Sequence, residues 1–209
     1  FLKKIGLLKN QKFICIVNRD FAYKKSLNKF YDTDGKKKDW SYHYYRNSNI
    51  ETYKKAAKYL IDKGYFVIRM GSVVESKLDI KNKFFFDYSC SNLKNDFLDI
   101  FLMGNSYFNL VSDVGLKDVS YVYNIPYCFV NCPFPKITPN WKSKSIFIYK
   151  KFKSKSLKRN LTFSEIKNNM DINTIKNKNI KKFIDYNAVF FFNENPDITI
   201  VDNSPEEIL

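Results

Sequence analysis

The stretch FICIVNRDFAY, residues 13–23, is five apolar residues that run directly into Asn18, Arg19 and Asp20. An arginine delivered by a buried strand is suited to an anion, because its planar fork of N–H donors meets two oxygens of one phosphate. The adjacent carboxylate, Asp20, is the kind of group that takes a proton from a hydroxyl. Other apolar runs end in the same way. YFVIRM holds Arg69 and is followed by Gly71, FFFDYS holds Asp87, and YFNLVS ends on Ser112 with Asp113 and Gly115 just beyond. A helix starting near 113–115 would add free backbone N–H groups and a positive dipole end. Each feature also has a plainer role. A strand-end charge is an ordinary surface group, and Ser or Asp before a helix is an ordinary N-cap. The sequence has no G-x-G-x-x-G and no Walker loop, so the nucleotide signal is spread over several strand ends.

These residues need a scaffold that gathers strand ends. KFICIV (12–17), YFVIRM (65–70), FFFDYS (84–89), YFNLVS (107–112) and PYCFVN (126–131) read as buried strands, short apolar runs with polar borders. ITIVD (198–202) reads as a last strand. Helical patterns alternate with them. In SNIETYKKAAKYLIDKG (48–64), Ser48 and Glu51 form a capping box and Ile50, Tyr53, Ala57, Leu60 and Ile61 share a face. Gly64 suits the left-handed residue after that helix. NDFLDIFLMGN (95–105) and DVGLKDVSYVYN (113–124) are the next helices, and Thr162 with Glu165 caps another. Wholly apolar strands alternating with amphipathic helices predict an α/β, Rossmann-like parallel sheet with helices on both faces. Ligands of such sheets bind at the carboxyl ends of the strands. Asn18, Arg19, Asp20, Arg69, Gly71, Ser112, Asp113 and Gly115 all fall there.

The 209 residues suit a single domain, 1–209. Net charge is +15, but Lys, Asn, Ile, Phe and Tyr are abundant together, as an AT-rich coding sequence produces, so charge alone argues weakly for a partner. One true cluster exists. WKSKSIFIYKKFKSKSLKRN (141–160) has seven lysines, one arginine and no acid. It reads as a solvated face, or as one strand with Phe147, Tyr149 and Phe152 turned to a core. The four cysteines form no C-x-x-C pair, and Cys128 with Cys132 and the sole histidine, His43, make a poor zinc pattern. Thiols in a reducing cytoplasm are expected, with no metal and no cofactor. No run approaches the ~18 apolar residues of a membrane span, and FLKKIGLLKN is too short and too charged for a signal peptide. The chain ends inside a helix-start signal, Ser204-Pro205-Glu206-Glu207, so it is expected to be a piece of a longer protein.

The chain resembles a bacterial family of glycosyltransferases associated with surface polysaccharide synthesis. CIVNRDFAY, SYHYYRNSNIETYKKAAKYLIDKGYFVIRMGSVVE and FDYSCSNLKNDFLDIFLMGNSYF carry the resemblance, followed by FIYKKFKSKSLKRNLTFSEI and DNSPEEIL. Together they span nearly the whole chain. The resemblance implies the GT-B architecture, two Rossmann-like domains facing each other across a cleft. This chain would be the C-terminal half, which holds the nucleotide-diphosphate sugar. The family is also remotely similar to fucosyltransferases whose first strand of this domain ends in His-x-Arg, the arginine binding the donor diphosphate. That role falls on Arg19.

In this reading Arg19 stabilises the leaving group, Arg69 is second, the amides of 113–115 assist, and Asp20 is the base by position. The implied partners are a nucleotide sugar, a glycan or lipid-linked acceptor and a missing N-terminal domain. The location would be cytoplasmic or at the inner face of the membrane, an anionic surface. Two departures stand out. Relatives have His-Asn-Arg-Asp where this chain has Val17-Asn18-Arg19-Asp20. Their small Gly/Ser-rich turn is here Val111-Ser112-Asp113-Val114-Gly115, whose valine and aspartate would crowd and repel a diphosphate. They motivate an alternative, a diverged non-catalytic relative that binds a nucleotide or glycan. A nucleic-acid-binding module built on 141–160 ranks third.

Overall fold

The computed structural model describes residues 1–26, 41–133, 145–169 and 198–204. The loop at 31–40, the side chain of His43, Lys142, Lys144 and the helix start at 205–207 lie outside the described residues. The chain divides into two compact units, Phe1–Tyr149 with Asn203–Leu209, and Lys150–Asp202.

The first unit is built on six parallel strands: β1 (Phe13–Val17), β2 (Phe66–Arg69), β3 (Phe85–Asp87), β4 (Phe108–Val111), β5 (Tyr127–Cys132) and β6 (Ser145–Tyr149). Their order is β3-β2-β1-β4-β5-β6, the order of a Rossmann sheet. The helices are α1 (Ala22–Ser26), α2 (Lys54–Asp62), α3 (Asp96–Asn105) and α4 (Lys117–Val122). All five residues of β1 are buried, because it pairs on both edges and both faces are covered. Successive residues feed opposite cores. Cys15 and Val17 join Ile68, Leu102, Met103 and Phe129 on one side. Ile16 joins Tyr53, Ala57, Ile61, Val67 and Val130 on the other. After β1 the chain builds β2 and β3 to one side, then returns to place β4 on the other. β1 and β4 stay paired to their last residues, Val17 and Val111, and the connections that leave them run to opposite sides of the sheet, the arrangement that places a crevice beyond the strand ends.

Local chemistry corrects several element boundaries. A 3-10 turn, Ile50–Tyr53, precedes α2, and its cap is Asn49, whose side chain accepts from Glu51 N–H at 3.0 Å. Ser48 does not form the expected box with Glu51; its hydroxyl is buried against the Tyr53 hydroxyl, 3.3 Å away. Asn49→Ala should lower stability by about 1 kcal/mol, read as a shifted urea midpoint at constant slope. Gly64 takes φ +86° after α2, as its position demanded. Asn95 caps α3 through Leu98 N–H. β3 stops at Asp87 and passes into a 3-10 turn, Tyr88–Cys90. The expected helix 113–124 is only Lys117–Val122. Residues 113–116 form tight turns instead, with Val114 N–H donating to Ser112 O at 2.8 Å.

The second unit contains an antiparallel sheet, β8 (Arg159–Asn160), β7 (Lys151–Ser154) and β9 (Ile198–Val201), in that order, and a helix, α5 (Phe163–Asn169). Residues 198–201 are thus a strand as expected, paired in this smaller sheet. Thr162 and Glu165 make the expected reciprocal cap, and Arg159 grips Glu165 with two donors. That bidentate pair and the Thr162 bonds hold the Glu165 carboxyl down at about 2. The basic stretch is therefore not one strand. Phe147 of β6 packs against Tyr127 and Phe129 in the first unit, whereas Phe152 is buried in the second. Two of its cations are neutralised, Arg159 by Glu165 and Lys150 by Asp202 at 2.6 Å. No described helix is long and apolar enough to cross a membrane.

Candidate functional site

A cavity of about 360 Å³ opens in the first unit, at the carboxyl ends of β1, β2 and β4. Asn18, Arg19 and Asp20 line it from β1, Gly71 to Val74 from β2, and Val114 to Leu116 from β4. Tyr23, Lys24 and Asp99 complete the wall.

The backbone at Arg19 is held from both sides. Its N–H donates to Ser112 Oγ at 2.6 Å, and its carbonyl accepts from Ser48 N–H at 2.8 Å. Asn18 Nδ2 adds a bond to Ser48 O at 3.0 Å. Arg19 Nη1 donates to Asp113 O at 3.2 Å. Its Nε and Nη2 are shielded and have no partner among the described residues. Buried donors without acceptors are costly. Burial lowers the Arg19 pKa, the nearby Arg46 cation lowers it further, and Asp113 opposes both.

Asp113 is not an open N-cap that would repel a phosphate. It is buried, its carboxylate is paired with Arg46 Nε, and its carbonyl faces both arginines. Ser112 is fully buried and committed to the Arg19 amide. The amides of 113–115 do not form a helix start, because α4 begins at Lys117 and Val114 N–H is already used. Gly115 faces open space.

Asp20 lines the cavity and accepts two backbone hydrogen bonds. Its Oδ1 accepts from Ala22 N–H at 3.0 Å and its Oδ2 from Glu75 N–H at 2.9 Å. It ties the end of β1 to the loop after β2, and both oxygens are engaged. Gly71 lets that loop turn. It takes φ +147°, and a Cβ there would sit 2.8 Å from Val74 Cγ1 and 3.4 Å from Ser89 Cβ. Gly71→Ala should cost about 1–3 kcal/mol and displace Val74 from the cavity wall. A thermal melt checks the first effect and nucleotide titration the second.

Arg69 does not reach the cavity. It is fully buried, and its Nη1 donates to Asp87 Oδ2 at 3.2 Å and to Ser76 O at 2.5 Å. Arg69 and Asp87 are register partners on β2 and β3, so the neighbouring strand supplies the counter-charge before any ligand can.

The chain matches no protein-family model and no curated protein. Among solved structures it is similar to E. coli ADP-heptose LPS heptosyltransferase II, at 18% identity and a TM-score of 0.47. The match covers 70% of this chain and 41% of that one.

Two residues at the site escaped the sequence reading. Arg46 ends a 3-10 turn, Ser41–Arg46, in a polar stretch without periodicity. Asp99 lies on α3, where its spacing resembles that of any exposed helical acid. Burial raises its carboxyl pKa, the Tyr88 hydroxyl opposes this, Asp96 adds to it, and its Oδ1 has no partner among the described residues. The described residues contain no group of three or more His, Cys, Asp or Glu placed to hold a metal ion.

Proposed function

We propose that this chain is the donor-binding half of a GT-B glycosyltransferase. It would move a sugar from a nucleoside-diphosphate donor to a glycan or lipid-linked acceptor in surface polysaccharide synthesis. The observation that carries the reading is Arg19, which follows the central strand β1 and lines a cavity of about 360 Å³, with Nε and Nη2 shielded and lacking a partner among the described residues. Ligands of Rossmann sheets occupy that crevice, and the family resemblance gives the same arginine the donor diphosphate.

The mechanism follows from charge. As the bond from the sugar to the diphosphate breaks, negative charge grows on the departing phosphate. A guanidinium held by the Asp113 carbonyl, on a backbone clamped by Ser112 Oγ, would stabilise that charge with little reorganisation. Asn18, Ser112 and Asp113 act as positioning residues for Arg19, while Gly71 and Gly115 keep the walls open. Asp20, with both oxygens on backbone donors, shapes the wall. The base that takes the acceptor proton would then come from the facing domain. A cytoplasmic site at an anionic membrane surface agrees with the +15 charge.

Calorimetric titration with a panel of nucleoside diphosphates and nucleotide sugars tests the reading. It expects one nucleotide class to bind, and turnover with a glycan acceptor in the two-domain protein. A well-folded two-domain protein that binds no nucleotide rejects it. A second reading, a non-catalytic relative, is favoured by Val17 and Val114, which both line the cavity. Binding without turnover is its signature.

A further inference from the structure

The hairpin of the second unit carries apolar and cationic side chains together on its outside. Along β7, Phe152 and Ser154 are buried, so strand alternation turns Lys151 and Lys153 to the other face. Val201 of β9 is the register partner of Lys151 and is 39% exposed, and cross-strand partners share a face. Beyond β7 the turn Lys155-Ser156-Leu157-Lys158 is exposed throughout, with Leu157 at 52% exposure flanked by the two lysines. The turn has defined bonds. Leu157 N–H donates to the buried Ser154 Oγ at 3.1 Å, Ser154 Oγ lies 3.1 Å from Ser156 Oγ, and Lys158 takes φ +54°. Because its N–H is satisfied from inside, Leu157 can leave water without stranding that donor. The first turn of α5, tied to β8 through Arg159 and Glu165, adds Phe163 at 54% exposure. The described carboxylates of this unit, Glu165 and Asp202, are both held in ion pairs, with Arg159 and Lys150. Lysines alone make an ordinary solvated face. A leucine raised between lysines on a turn suits a lipid headgroup layer, where the apolar chain meets the acyl boundary and the ammonium groups meet anionic headgroups. Nucleic acid matches the lysines but gives Leu157 nothing to do, since bases stack on aromatic planes.

We infer that the hairpin at 153–158 is a docking surface for an anionic lipid bilayer. Leu157 enters the headgroup layer, and Lys153, Lys155 and Lys158 contact anionic headgroups. The second unit makes this surface by itself, so vesicle binding tests it and nucleotide binding tests the donor reading separately.

The test is sedimentation of the full chain with vesicles of phosphatidylcholine alone and of phosphatidylcholine mixed with phosphatidylglycerol. Wild type should bind the mixed vesicles at least about tenfold more tightly. Changing Lys153, Lys155 and Lys158 together to Gln should weaken that binding about 100-fold, at about fivefold per lysine. Changing Lys3, Lys4 and Lys9 to Gln, three exposed lysines of the first unit, removes the same charge and should cost no more than about threefold. Leu157→Asp should weaken binding about tenfold or more. Leu157→Trp should bind, and its emission should shift to the blue on mixed vesicles, above the wild-type background. Equal losses in the two lysine triples reduce the effect to net charge and overturn the inference. So does wild-type binding in Leu157→Asp, or an unshifted Leu157→Trp on sedimented vesicles. A folded wild type that ignores mixed vesicles overturns it as well, and if it binds single-stranded RNA through the same three lysines the surface belongs to nucleic acid. If the hairpin triple fails to fold, the Leu157→Trp emission decides.

Discussion

Replacing Arg19 with alanine should weaken nucleoside-diphosphate binding by about 10- to 100-fold, the worth of hydrogen bonds to a charged group. Turnover in the two-domain protein should fall by about 10²- to 10³-fold, the scale of losing one donor aimed at developing charge. The fold should survive. In the unliganded chain the side chain contributes one bond, Nη1 to Asp113 O at 3.2 Å, while Nε and Nη2 have no partner among the described residues. The clamp on its backbone, from Ser112 and Ser48, does not depend on the side chain. A stability change within about 1 kcal/mol is therefore expected, read from the unfolding midpoint, together with the large affinity loss read by calorimetry. Arg19→Lys should recover some binding, because the charge returns without the bidentate geometry. Full affinity in Arg19→Ala would remove this residue from the site and the donor reading with it.

Strands β1 to β5 and β9 were readable as short, mostly apolar runs, and the ends of β1 and β4 follow from that pattern alone. Arg19 could be placed at a carboxyl strand end without any tertiary information. Arg69 looked the same, an arginine at the end of VIR, and the sequence could not separate them. What separates them is the partner in register. Arg69 is fully buried and sits beside Asp87 on β3, eighteen residues away in the chain. Arg19 lies between β2 and β4 at the crevice, where no described strand-end carboxylate bonds its Nε or Nη2. Helix α4 was overextended for a related reason. Asp113 reads as a helix-start residue by type, but its carboxylate is drawn to Arg46, sixty-seven residues earlier, and the intervening turn delays the helix to Lys117. Asp20 looked like a base because it adjoins Arg19; its bond to Glu75 N–H spans fifty-five residues. Local pattern thus placed these residues at carboxyl strand ends, and long-range pairing decided which of their polar groups bond within the protein. The small sheet of the second unit was missed because β9 pairs with β7 across a gap that periodicity does not encode.

Asp87→Ala should cause the largest stability loss in the first unit, about 3–5 kcal/mol. The carboxylate serves three donors. Oδ2 accepts from Arg69 Nη1 at 3.2 Å and from Leu78 N–H at 3.1 Å, and Oδ1 accepts from Ser89 Oγ at 2.5 Å. Removing it strands a guanidinium with no solvent exposure, whose Nε and Nη2 already lack partners among the described residues. The uncompensated buried charge accounts for most of the loss, because no water can replace the missing counter-ion. Such a loss is a large part of the roughly 5–15 kcal/mol that holds a domain together. Arg69→Met should cost less, since it removes the buried cation and leaves Asp87 with the Leu78 and Ser89 donors. This asymmetry distinguishes a scaffold pair from a ligand site. Urea unfolding should rank Asp87→Ala below Arg69→Met in stability, and Arg69→Met, while folded, should bind nucleoside diphosphate within about twofold of wild type, since its side chain lies outside the cavity. A tenfold affinity loss in folded Arg69→Met would instead return Arg69 to the donor site and require the strand-end pair to open on binding.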